Sequence, residues 1–325
     1  MDNATHHAAT AATGAVLGLL GWPRVRVSAL DARGQPWRLV TDDWQAVLRR
    51  SPLATGVEHA VWLHRFLDRL TPVGFLAPKP LPILAGASVA VVNGEIWEAM
   101  SYLPGRALGW DPGVPLESAG ALLAHFHLAS LQSSPPDQRS GALPMEECRP
   151  ESERTLAERF QRELAATGHH AATRCVVHGD CTVSNLLVDE NAPRVVGMID
   201  FALAHLGPPE SDISFALWVN GRTEQPAIGL DADRVRAFVA GYHRVRPLTD
   251  WAVHAIPLYL VGRGLQMRLR QERAGVRDEI QISRLHWLDQ HRRWLEDVVA
   301  SALAPDARRI GGWKATVNGP AQPVP

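Results

Sequence analysis

With 325 residues and a formal net charge of -1, the chain is long enough for one large or two coupled compact units, and it has no global field to draw nucleic acid or an anionic membrane. Hydrophobic residues at 46% against 21% charged describe a soluble globular protein, neither disordered nor fibrous. Three cysteines, Cys148, Cys175 and Cys181, form an odd set without Cys-x-x-Cys spacing, which excludes a disulfide framework and suits a reducing cytoplasm.

Residues 1–13 are small and polar, and Ala15 to Leu20 has the pattern of a short helix. The apolar stretch Gly14 to Trp22 is too short to span a bilayer and lacks a basic flank. From Val25 the period changes. Val25 to Leu30, Trp37 to Val40 and Trp44 to Arg49 are short β runs, separated by turn formers at 31–36 and 41–43. Val57, Ala60, Val61, Leu63, His64, Leu67 and Leu70 then repeat at helical spacing, with Glu58 in the first turn. Val89 to Met100 forms two apolar runs around Asn93-Gly94, which predicts a hairpin with a tight turn. These strands predict a small antiparallel sheet ending near residue 103.

Helical periodicity dominates beyond it. Glu117 to Leu131 predicts one helix; His125 and His127, two residues apart, point to different faces of it and make no metal pair. A Pro/Ser/Gly-rich connection at 133–150 leads to an amphipathic helix at 151–166. Helices are predicted again at 213–223, 232–246, 251–274 and 280–303, before a Gly/Pro-rich tail.

Between these helices lies RCVVHGDCTVSNLLVDENAPRVVGMIDF, residues 174–201. It alternates β runs with polar loops. Antiparallel pairing of 186–188 with 195–199 across the turn-forming 189–193 would put Asn185 and Asp200 at one end of a hairpin, with Asp180 one short loop away. Two carboxylates and an amide oxygen suit a hard cation such as Mg²⁺. Phosphoryl transfer asks for this set: one carboxylate to take the proton of the attacking hydroxyl, and ligands for the metal that holds the phosphates. Asp180 fits the first role, Asn185 and Asp200 the second. The bland alternative is a surface hairpin capped by polar residues.

His178-Gly179-Asp180, four residues, Asn185, then Ile199-Asp200-Phe201 resembles the aminoglycoside phosphotransferase family of small-molecule kinases, relatives of the protein kinases. Gly241 to Thr249 followed by a long helix is similar to the type II homoserine kinase branch. The resemblance implies an α+β, protein-kinase-like bilobal fold: a small antiparallel N-lobe over residues 1–103, a larger, mainly helical C-lobe over 104–305, and a flexible tail at 306–325. It implies Asp180 as catalytic base and His178 as the brace of its loop, with Asn185 and Asp200 as Mg²⁺ ligands. In the N-lobe it implies that Arg49, where the family has Lys, contacts the ATP phosphates with Arg50 beside it and pairs with Glu58. The 31–36 loop, with its single glycine, would cover the phosphates, and backbone groups of Ser101, Tyr102 and Leu103 would bind the adenine edge. Asp212 would be a buried acid bonded to the catalytic-loop backbone.

The expected partners are therefore ATP and a small-molecule hydroxyl, without nucleic acid or membrane, in a monomer or homodimer. Arg222, Arg263, Arg268, Arg270 and Arg273 argue for a neutral, zwitterionic or anionic acceptor over a polycation. By analogy with the family, an antibiotic of aminoglycoside, nucleoside or macrolide type is the first expectation and homoserine the alternative. A nucleotide-binding pseudokinase is a different class, disfavoured by the intact Asp180, Asn185 and Asp200. A protein kinase is disfavoured because no Ala-Pro-Glu segment follows Phe201.

Overall fold

A computed structural model of the protein describes residues 18, 25–30, 36–51, 56–70, 75–83, 86–111, 113–131, 133, 151–167, 173–223 and 227–304. The expected helix at 15–20 apart from Gly18, the loop at 31–36 apart from Pro36, Cys148 and the tail at 306–325 lie outside the described residues. The chain divides into two compact units after Pro104.

The first unit contains β1 (Arg26–Ala29), β2 (Trp37–Val40), β3 (Gln45–Arg50), α1 (Gly56–Leu70), β4 (Ala90–Val92) and β5 (Glu95–Ser101). The strands form one antiparallel sheet in the order β1-β2-β3-β5-β4. Alternation decides its faces. Trp37, Leu39, Ala46, Leu48, Trp97 and Ala99 bury one side together, with the Trp37 and Trp97 rings stacked at 5.5 Å. The opposite side carries the polar register pair Arg49 and Glu98. Asn93 and Gly94 take φ of 52° and 79°, the left-handed pair that turns a two-residue hairpin. Helix α1 buries Ala60, Leu63, His64, Leu67 and Leu70 of the expected stripe and also His59 and Phe66, while Val57 is exposed and Val61 half-buried.

The second unit follows with β6 (Arg106–Ala107), α2 (Leu116–Ala129), α3 (Glu151–Ala166), β7 (Cys175–Val177), β8 (Leu186–Val188), β9 (Val195–Met198), β10 (His205–Gly207), α4 (Pro209–Asn220), α5 (Ala232–Val245), α6 (Asp250–Arg273), α7 (Glu279–Gln290) and α8 (Arg292–Leu303). Two small sheets, β6-β8-β9 and β7-β10, lie among the helices. The β8–β9 hairpin is antiparallel, with Leu186 opposite Met198 and a bulge after Leu187. Strands β6 and β10, of two and three residues, are too short to show a period and were not expected. Helix α4 starts at Pro209, four residues before the predicted 213, because Pro fits the first turn of a helix, where its missing N–H is not needed. The single helix predicted at 280–303 is two. His291 leaves helical geometry at φ -107° and ψ 21°; its ring stacks on Trp287 at 4.4 Å and its Nδ1 bonds the Trp287 carbonyl at 2.9 Å.

Helices α2 and α5 pack backbone to backbone. A Cβ at Gly120 would lie 1.9 Å from the Phe238 carbonyl oxygen, and one at Gly241 would lie 2.1 Å from that of Glu117. Neither obstacle is a movable side chain. Gly120→Ala is therefore expected to cost about 2–3 kcal/mol and to lower the melting temperature by roughly 5–10 °C. A calorimetric scan of the variant checks this, and an unchanged melting temperature would contradict the close packing.

Candidate active site

Strand β7 ends at Val177 and delivers His178, Gly179 and Asp180 into a tight loop. Gly179 sits at φ 76°, and a Cβ there would lie 2.5 Å from the Leu203 carbonyl oxygen, so glycine meets both a conformational and a steric demand. The loop closes by two turns: Thr182 N–H donates to the Asp180 carbonyl at 2.8 Å, and Asn185 N–H to that of Thr182 at 2.9 Å. The Asn185 amide Nδ2 donates to both the carbonyl and Oδ2 of Asp180, each at 2.9 Å. Across the hairpin, Ile199 N–H donates to the Asn185 carbonyl at 2.9 Å. That bond puts Asn185 and Asp200 at one rim. Asp200 takes the left-handed conformation, φ 62° and ψ 65°, which costs a non-glycine residue about 1–2 kcal/mol. Buried Phe201 holds the next residue in place, its ring 4.6 Å from His178 and 5.5 Å from Phe126.

His178 braces this loop in its neutral form. Its Nδ1 accepts from Asp180 N–H at 3.1 Å, so Nε2–H is left to donate to the Ile199 carbonyl at 3.0 Å. Burial holds its pKa below the ordinary histidine range. Beneath it, fully buried Asp212 accepts from the backbone N–H groups of His178 (2.6 Å) and Gly179 (2.9 Å). Asp212 also accepts from His127 Nε2 at 3.0 Å, while His127 Nδ1 accepts from the Tyr242 hydroxyl at 2.8 Å. Burial pushes Asp212 up, but the hydrogen bonds it accepts, that of His127 foremost, and its closeness to the His127 and His178 rings outweigh burial and hold the carboxyl below its usual range. Asp212 is thus an ionised anchor for the turn that carries Asp180.

Burial, then the charge of Asp200, pushes the Asp180 carboxyl up to about 6. Two carboxylates that repel each other, beside an amide whose nitrogen is taken and whose oxygen is the remaining donor atom, suit a hard divalent cation. Among the described residues no group of three His, Cys, Asp or Glu could hold a metal ion; the set here is two carboxylates and an amide. Cys181 lies inside the loop but is fully buried, and burial raises its thiol well above the ordinary value. It is packing material, not a nucleophile.

The remaining candidates belong to the first unit. Arg49 Nε donates to Glu98 Oε1 at 2.8 Å, and His64 Nε2 lies 2.7 Å from Glu98 Oε2. Burial pushes Glu98 up, yet the Arg49 guanidinium and His64 together hold it below the carboxylate range. Glu58, the expected partner, is exposed in the first turn of α1. The correction has a simple cause: β3 and β5 put Arg49 directly opposite Glu98, whereas the inward face of α1 at that level presents His64. A sequence signal for Glu98 exists, an acid amid the apolar run Ile96-Trp97-Glu98-Ala99-Met100, which demands a buried partner. Arg50 pairs with Glu95 at 2.5 Å. In the segment expected to bind adenine, two amides are already used. Ser101 N–H donates to the Lys79 carbonyl at 2.7 Å and Tyr102 N–H to that of Gln45 at 3.2 Å, because the sheet continues this far. Of the three, Leu103 keeps its N–H outside these backbone bonds among the described residues.

Comparison with known proteins adds ancestry to this geometry. Residues 25–248 match the model of the phosphotransferase enzyme family. The chain is 31% identical over 222 residues to a homoserine kinase of Methylobacillus glycogenes, covering 64% of this chain and 67% of that one. It is 32% identical over 201 residues to a homoserine kinase of Methylobacillus flagellatus, covering 58% and 61%. The matches thus span about three fifths to two thirds of those relatives. Among solved structures, a microcompartment-associated aminopropanol kinase superposes with a TM-score of 0.67 at 18% identity, over 90% of this chain and 98% of that one. An amicoumacin kinase in complex with AMP-PNP and Ca²⁺ gives 0.64 at 17%, over 87% and 91%. At such identities the likeness shows the fold, which is protein-kinase-like.

Proposed function

The chain belongs to the phosphotransferase enzyme family, and from that premise we propose that it transfers the γ-phosphoryl group of ATP to a hydroxyl of a small molecule. The observation that carries this reading is the rim shared by Asp180, Asn185 and Asp200, fixed by the Asn185–Asp180 and Ile199–Asn185 bonds. Asp180 takes the proton of the acceptor hydroxyl; with its pKa raised to about 6 it is ionised at neutral pH and still basic enough for the task. Asn185 Oδ1 and Asp200 would hold Mg²⁺, which neutralises phosphate charge when bound. Asp212 and His178 position the loop without touching substrate. In the first unit, Arg49, oriented by Glu98, is the phosphate contact, and the Leu103 amide is the remaining donor for the adenine edge.

For the acceptor, two classes stand. An antibiotic fits the company of aminoglycoside and amicoumacin kinases of the same fold. A hydroxy amino acid metabolite fits the sequence likeness to homoserine kinases. ADP release by the purified protein with Mg·ATP, against aminoglycosides, nucleoside and macrolide antibiotics and homoserine, is the direct test. Turnover with one class fixes activity and substrate together; failure to bind Mg·ATP at all would refute the reading. Asp200→Ala is expected to make ATP affinity independent of Mg²⁺ in calorimetric titrations. A variant that kept the metal dependence would remove Asp200 from the cation.

A further inference from the structure

Two guanidinium groups of the second unit lie on aromatic rings without an ion-pair partner among the described residues. Arg263, on α6, has its Cζ 3.6 Å from the centre of the Phe215 ring, and its buried Nε has no hydrogen-bond partner. Arg222, just beyond α4, is fully buried, its Cζ 5.0 Å from the Trp218 ring, with Nε and Nη1 unpartnered. Phe215 and Trp218, at i and i+3, share a face of α4, and Arg222 lies two residues beyond its end. Burial pulls both arginines down to about 9, and a second arginine near each acts in the same direction. A buried, unpaired cation is costly in water-poor surroundings, and its natural complement is an anion supplied from outside.

Location makes Arg263 the useful one. It is only partly buried, so a ligand can reach it, whereas Arg222 is sealed and contributes charge alone. Helix α4 is tied to α6 by the Ser214 hydroxyl on the Ile256 carbonyl (2.8 Å) and to the catalytic loop by Asn220 Nδ2 on the Cys181 carbonyl (3.0 Å). These ties hold Arg263 near Asp180, and each group feels the other's charge. A planar guanidinium backed by a ring presents its edge for two parallel hydrogen bonds, the geometry a carboxylate accepts.

We propose that Arg263, flat against Phe215, binds the carboxylate of the acceptor whose hydroxyl faces Asp180, and that the acceptor is a small hydroxy acid or hydroxy amino acid. The identity of the acceptor rests on the phosphotransferase reading above; the anion site itself does not. A polycation is excluded by the same charges that attract the carboxylate.

The test uses the full chain and matched pairs differing only in charge: L-homoserine against its amide, and 4-hydroxybutyrate against 4-hydroxybutyramide. Calorimetry without nucleotide reads binding, and ADP release with Mg·ATP reads transfer. The acid of each pair is expected to bind about 10–100-fold more tightly than the amide, the worth of a charge-assisted bidentate contact. Arg263→Gln and Arg263→Met should bring that ratio near one with Mg·ATP affinity unchanged, and Arg263→Lys should keep part of it. Arg263→Met should also melt no lower than the parent, since it removes a half-buried charge without an ion-pair partner among the described residues; a purely structural arginine would lower it. A parent protein that binds acid and amide equally, or binds neither, overturns the proposal. So does an Arg263→Gln variant that keeps the ratio and loses Mg·ATP affinity, which would assign Arg263 to the nucleotide phosphates. Acid binding through Arg263 with no Mg·ATP binding would uphold the anion site and overturn the phosphotransferase reading instead.

Discussion

Asp180→Asn is expected to reduce turnover by a factor of about 10³ or more while raising the melting temperature. The two effects have one origin. The folded protein holds the Asp180 carboxyl at about 6, against an ordinary 3.8, through burial and the charge of Asp200. A raised carboxyl pKa means the fold binds this proton more tightly than the unfolded chain does. The associated penalty is absent below pH 4, grows as the pH rises towards 6, and is constant above. At pH 7 it is on the order of 1 kcal/mol after allowance for the partial exposure of the group, or roughly 2–4 °C. Asparagine removes that charge while keeping an oxygen for the Asn185 amide. The same pKa fixes the pH dependence of the parent: kcat/KM should rise with pH through a midpoint near 6 and level off above 7. A variant of near-normal rate would end the role of Asp180 as base. A melting temperature lowered at pH 7 would contradict its electrostatic setting.

Asp212→Ala, by contrast, should lower stability and cost nearly as much in rate. Three donors lose their acceptor at once: the backbone N–H groups of His178 and Gly179 and the ring of His127. His178 and His127 lie in the interior, where water cannot substitute, and Gly179 is half-buried. The expected loss is about 3–5 kcal/mol, that of removing one partner of a buried charged network, measured as a shift in the urea midpoint with unchanged slope. Because the folded carboxyl is held below its ordinary range, its contribution is complete at neutral pH and fades as the pH falls through the lowered folded value. Asp212→Asn, which keeps the shape and one acceptor oxygen, should lose less. If alanine proved as stable as the parent, the catalytic turn would have to be held by something other than this carboxylate.

The turn that carries Asp180 was legible in the sequence because its information is local. Asp180, Asn185 and Asp200 lie within 21 residues, on a hairpin whose strands and turn each show their own chemistry. The antiparallel sheet of the first unit was legible for the same reason, from alternation and the Asn93-Gly94 turn. Most of the misses are non-local or too short, and the others are local side-chain or proline effects on where a helix starts or breaks. Glu98 stands 49 residues from Arg49, and only the register of β3 on β5 makes them partners, whereas the family resemblance pointed to the helix after β3 and so to Glu58. The occupied amides of Ser101 and Tyr102 depend on Lys79 and Gln45, which no pattern around 101–103 announces. The break at His291 arises from a ring stacked on Trp287, a side-chain event inside an otherwise continuous helical period.

The bond from Arg49 to a neighbouring strand also bears on control. Where a mobile helix supplies the carboxylate for the phosphate-binding cation, swinging that helix away switches an enzyme off. In this chain such a movement of α1 would detach His64 but leave Arg49 and Glu98 joined across two strands of one sheet. The Arg49–Glu98 pair would therefore outlast any movement of α1, which would register only in the His64–Glu98 contact.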